Sequence, residues 1–175
     1  LDKKKKSLEY IETVPKVLMS MAKVEEVYGL TIEEIREIQW MMSIYYDLPF
    51  FNGRSIWHEV EDLPIIQKLQ GNVWLLTSIM RQQEKIASFT VAGGAILSSD
   101  STSLNLAHVC EWLTSLYGPM SIKSLQKRFN EMFDTQISAS RLADRLKASG
   151  VWDRIVTDSM DQYIDNLLAN DLSNV

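Results

Sequence analysis

The sequence predicts an all-α protein, with at most a small β-hairpin in its C-terminal part. Glycine and proline are scarce, 7 and 4 in 175 residues, while long stretches consist of good helix formers. Apolar residues recur three and four apart through most of the chain, which is the spacing of one buried helix face. Helix-starting and helix-stopping residues punctuate those runs, and a hydrophobic content of 46% is enough to build a core.

Pro15 fits the first turn of a helix started near Thr13, with Val17, Leu18, Met21, Val24 and Tyr28 on one face and Gly29 as its stop. Thr31 with Glu34 three residues on forms a capping box, and Leu30 with Ile35 a hydrophobic staple. The helix they open, Ile32 to about Asp47, has its apolar face at Ile35, Ile38, Met42 and Tyr45. Pro49 and Gly53 in LPFFNGR then break it. A short helix is expected around Ile56 to Glu61. A longer one opens at Asp62 and Pro64, carrying Ile66, Leu69, Val73, Leu76 and Met80. FTVAGGAIL reads equally as helix running to Gly93 or as a hairpin turning at Gly93 and Gly94.

The polar run SSDSTS, Ser98 to Ser103, lacks any core-facing pattern and is the expected boundary between two domains, residues 1–97 and 104–175. Beyond it, Leu106, Val109, Cys110, Leu113 and Leu116 form one helix face, ended by Gly118 and Pro119. Ile122, Leu125, Phe129 and Met132 or Phe133 form a second. DTQI turns the chain, Ser138 caps a third helix lined by Ala139, Leu142, Ala143 and Leu146, and Gly150 stops it. VWDRIV alternates like a strand, and MSI before the second of these helices is its expected partner. Met160, Ile164, Leu167 and Leu168 suggest a fourth helix in the tail.

That order of elements resembles the winged-helix branch of the helix-turn-helix superfamily over roughly residues 104–165. The resemblance implies that the last helix of the pair enters a DNA groove and offers Ser140, Arg141 and Arg145 to base edges or phosphate, with Lys123, Lys127 and Arg128 as further phosphate contacts. A tail helix in place of a second wing strand departs from that pattern. Charge distribution agrees with a local basic surface. The chain carries a net charge of -5, but residues 104–156 hold 7 basic against 5 acidic groups, whereas residues 1–103 hold 11 against 14 and residues 157–175 none against 4. The competing reading makes these arginines solvated charges paired with Asp144 or another carboxylate, and the module a protein-binding one.

In the N-terminal part, Trp40, Met41, Tyr45 and Tyr46 surround nearly the whole of their helix. They are read either as internal core or as an interface for self-association or a partner. Lys3 to Lys6 is a like-charge run, read as a solvated tail, a phosphate contact or an import signal. No reaction centre is expected. WHEVED has Asp62 where a zinc-binding HExxH needs its second histidine, His108 has no ligand partner four residues away, and Cys110 falls on an apolar face. Neither cofactor nor metal is predicted. One cysteine permits no internal disulfide, and no apolar run has the length of a membrane span, so a soluble intracellular protein with no membrane partner is expected. The start at Leu1 suits a processed product or a piece of a longer protein.

Overall fold

The computed structural model describes residues 8–157 and 168. It corrects the all-α expectation. With 56% helix and 15% strand, including two antiparallel hairpins, the fold is mixed α/β, though mainly helical.

The first hairpin replaces the first half of the expected N-terminal helix. Strands β1 (Tyr10–Val14) and β2 (Val17–Ser20) pair antiparallel, with Val14 opposite Val17, so Pro15 and Lys16 form a two-residue loop. Pro15 supplies the fixed φ that suits the first central position of a turn, and Lys16 takes the second at φ 66°. The same proline therefore opens a turn rather than a helix. Helix α1 (Met21–Tyr28) starts only after Ser20, whose hydroxyl accepts from Lys23 N, and ends at Gly29 in the left-handed region.

Helix α2 (Ile32–Met41) begins at the Thr31–Glu34 capping box, with Leu30 and Ile35 both fully buried, and passes into a 3-10 turn over Met42–Tyr45. Helix α3 (Gly53–Val60) follows, capped by Asn52. The long helix expected from Asp62 onward is two helices. Helix α4 (Pro64–Gln67) is separated from α5 (Val73–Arg81) by Gln70 and Gly71, both at positive φ, with Asn72 capping α5 through Leu75 N. Apolar spacing carried the sequence pattern across a break that Gly71 and Asn72 mark.

FTVAGGAIL resolves as a hairpin. Strands β3 (Ala87–Val91) and β4 (Gly94–Ser98) turn through Ala92 and Gly93, both at positive φ as a type I′ connection requires. β4 is buried throughout. It pairs with β3 on one edge and bridges Phe51 through two backbone hydrogen bonds at Leu97 on the other. Side chains alternate across a strand, and here the alternation separates two cores. Leu97 joins a cluster with Ile11, Ile35, Ile38, Phe51, Leu75 and Ile79, while Ile96 joins Val91, Phe50, Leu113, Phe129 and Leu142. Residues from before Ser98 thus help build the second core.

After a 3-10 turn at Ser101–Ser103 come α6 (Leu106–Tyr117), α7 (Ile122–Phe133), α8 (Ala139–Ala148) and α9 (Trp152–Ile155). SSDSTS is locally knitted: Ser98 is buried, and Asp100 accepts from Thr102 and Ser103. The strand expected at VWDRIV is instead the helical turn α9, leaving one parallel bridge between Met120 and Val156. Burial of Val151, Ile155 and Val156 at spacings of four and one is better served by a helical turn than by alternation. The expected tail helix lies outside the described residues except for Leu168. No helix among the described residues is long and apolar enough to cross a membrane.

Candidate nucleic-acid interface

Helices α6, α7 and α8 touch one another around Leu113, Leu125, Phe129, Phe133, Leu142 and Leu146. Each start is capped by a side chain that accepts from the backbone: Asn105 from His108 N, Ser121 from Ser124 N and Ser138 from Arg141 N. The turn between α7 and α8 is set by Asn130. Its Oδ1 accepts from Ile137 N at 3.0 Å and Thr135 Oγ1 at 2.7 Å, and its Nδ2 donates to Ile137 O at 3.0 Å. Gln126 Nε2 donates to the same carbonyl, and Asp134 ends α7 in the left-handed conformation. Four side-chain hydrogen bonds thereby fix where α8 begins and which way it leaves the turn.

On α8, Leu142 and Leu146 are buried, while Ser140, Arg141, Asp144 and Arg145 are exposed. Arg141 and Arg145, four apart, share the outward side. Neither forms an ion pair among the described residues, and neither does Lys123 or Lys127. The alternative pairing with Asp144 is thus absent there. Gln126 and Asn130 face the turn, and Lys123 and Lys127 continue the same strip of α7, because successive residues advance by about 100°. Arg128 lies about 100° beyond Lys127 and stands apart from this strip. Its half-buried guanidinium sits 4.2 Å from the centre of the Tyr117 ring. Five of the six predicted contacts, Lys123, Lys127, Ser140, Arg141 and Arg145, are exposed on the helix pair, and the sixth is engaged with α6.

Arg145 also lines an open groove of about 410 Å³ with Asn105, His108, Ser149 and Arg154. Arg154 is held there by Glu111, Nη2 to Oε1 at 3.0 Å. This pairing joins α9 to α6 and was not visible in sequence, because 43 residues separate the partners.

The four N-terminal interface candidates divide. Trp40 is 76% exposed, whereas Met41, Tyr45 and Tyr46 are half-buried against the first core. Tyr46 stacks on Phe51 at 5.5 Å and donates to Gln39 O. Burial pushes the Tyr46 hydroxyl up to about 12, and burial followed by Glu59 does the same for Tyr45. Ile44, unremarked in the sequence, is 72% exposed and one turn beyond Trp40.

His58 is exposed and lies 3.5 Å from Glu61, and no cluster of metal-binding side chains occurs among the described residues. Cys110 is buried, which raises its thiol to about 12. Comparison with protein-family models, with curated proteins and with solved structures finds no match.

Proposed function

We propose that this chain is a non-catalytic, intracellular nucleic-acid-binding protein whose α6–α8 unit acts in the manner of a winged helix on duplex DNA, in replication, transcription control or genome organisation. The observation that carries the reading is the pair Arg141 and Arg145, exposed on the outer side of α8 and free of carboxylate partners among the described residues. An unpaired arginine keeps its donors available for guanine edges or phosphate, whereas a paired one must first surrender a partner. Lys123 and Lys127, on the strip of α7 beside the turn, supply phosphate contacts that fix register. The N-terminal part sets the assembly state.

A second reading is favoured by Trp40 and Ile44, which form an exposed apolar pair on α2 and the turn after it. In that reading the chain is a scaffold, and both parts contact protein. Anisotropy titration of the whole chain against a labelled duplex at two salt concentrations separates the two. Binding that weakens as salt rises supports the nucleic-acid reading. Absence of binding at about 50 mM salt, where the electrostatic contribution is large, favours the scaffold.

A further inference from the structure

We propose that the cleft between α6 and the chain leading into α3 binds a small organic cation carrying a quaternary ammonium group. The cleft has a volume of about 380 Å³, within the range of small-molecule sites, and Phe50, Asp100, Ser103 and Trp112 are among the residues that border it. Its α6 wall is a single stripe. His108, Glu111, Trp112 and Ser115 follow at spacings of three, one and three, so they share a side of the helix distinct from the core side of Val109, Cys110 and Leu113.

Two aromatic rings form the apolar part of the cleft. Phe50 is buried and Trp112 half-buried, with ring centres 5.8 Å apart and planes inclined at 58°. The backbone on either side is already fixed. Phe51 exchanges two hydrogen bonds with Leu97, and Ser98 Oγ accepts from Asp100 N at 3.0 Å. A ligand here therefore meets walls that need little ordering.

The polar wall sets the sign of the ligand. Among the described residues no lysine or arginine borders the cleft, whereas Asp100 and Glu111 do. Glu111 is shared with Arg154, but Asp100 forms no ion pair among the described residues. Hydrogen bonds from the hydroxyl and N–H of Thr102 and the hydroxyl of Ser103 hold its carboxyl below its ordinary 3.8, so it is charged at neutral pH. Such a wall repels phosphate and carboxylate ligands. A bare metal ion needs several converging ligands, and no such group occurs among the described residues. A primary ammonium brings three N–H donors, which ring faces satisfy poorly. A quaternary ammonium has no donor to satisfy. Its alkyl groups pack on Phe50 and Trp112 while its charge meets the ring faces and Asp100, tryptophan being the strongest ring for that contact. Neither Arg141 nor Arg145 borders the cleft, so the site is separate from the α8 surface.

The test is an NMR titration of the whole chain with choline at constant ionic strength, against its neutral carbon isostere 3,3-dimethylbutan-1-ol. Choline should shift the Trp112 indole N–H and the Ser103 amide saturably, and the isostere should bind about fivefold or more weakly. Trp112→Leu, read on the Ser103 amide, should weaken choline about tenfold. Asp100→Asn keeps an acceptor for Thr102 and should weaken it about threefold through the lost charge. That variant and the isostere carry the test if Trp112→Leu alters the circular dichroism. Arg141→Ala with Arg145→Ala should leave choline binding unchanged. Four results each overturn the proposal: no saturable shift, equal binding of the neutral isostere, undiminished binding to Asp100→Asn, or saturable shifts confined to residues away from the cleft.

Discussion

Replacing Asn52 by Asp tests how the two cores are held together. Asn52 is 2% exposed and performs two jobs at once. Its Oδ1 accepts from Ser55 N at 3.0 Å, capping α3, while its Nδ2 donates to Ala95 O and to Phe133 O, each at 2.8 Å. One amide therefore ties the start of α3 to β4 and to the end of α7. Asn52→Ala removes both jobs: two hydrogen bonds at about 1 kcal/mol each and a cap at about 1 kcal/mol. The expected loss is about 3 kcal/mol in the urea midpoint analysis. Asn52→Asp keeps the cap, since Asp is as good an N-cap as Asn. It nevertheless removes both donors and sets a buried carboxylate against two carbonyl oxygens. At neutral pH it should therefore cost at least as much as Asn52→Ala. If Asn52→Asp lies within about 0.5 kcal/mol of the parent, a difference typical of ordinary surface substitutions, the tie between the cores is not energetic and the reasoning fails.

Trp40→Ser with Ile44→Ser should abolish any concentration-dependent association seen by light scattering while leaving the thermal midpoint nearly unchanged, because both residues are exposed. The opposite choice, Met41→Glu with Tyr45→Glu, should lower the midpoint by several degrees, since it places charge against the first core. The Glu34 carboxyl, which accepts from Lys68 and from Thr31 N, should titrate below its ordinary 4.5 by NMR, and Lys68→Ala should move it upward. Because its folded value is depressed, the stability it contributes is present above the ordinary carboxylate range and is lost as pH falls through the folded value. Cys110 should resist a thiol reagent at mild alkaline pH in the native protein and react on unfolding in denaturant, since burial disfavours its thiolate.

Local chemistry was readable wherever a few neighbouring residues decide the outcome. The Thr31–Glu34 box, the Gly29 stop and the Ser138 cap stand where their spacing places them. Pro15 misled because one fixed φ serves both a helix start and a turn, and the choice depends on Ile11 and Thr13 finding a core that later residues provide. Trp152 to Ile155 was ambiguous for a similar reason, four residues being too few for periodicity to distinguish a strand from one helical turn. At the candidate interface, outward placement of Ser140, Arg141 and Arg145 followed from Leu142 and Leu146 alone. Engagement of Arg128 with Tyr117, pairing of Arg154 with Glu111, and the reach of Asn52 across 81 residues to Phe133 are tertiary facts with no local signature.

The slope of duplex affinity against salt is the most direct test of the proposed DNA-binding surface on α7 and α8. Lys123, Lys127, Arg141 and Arg145 are four candidate phosphate contacts, and each contributes about -0.9 to the slope of log affinity on log salt, so the parent should show a slope of about -4. Arg141→Ala with Arg145→Ala should bring it to about -2, with weaker binding at every salt concentration. Lys68→Ala, whose ammonium is engaged by Glu34 on the other core, should leave the slope unchanged. Equal slopes for the parent and the arginine variant would show that α8 is not the surface that meets DNA.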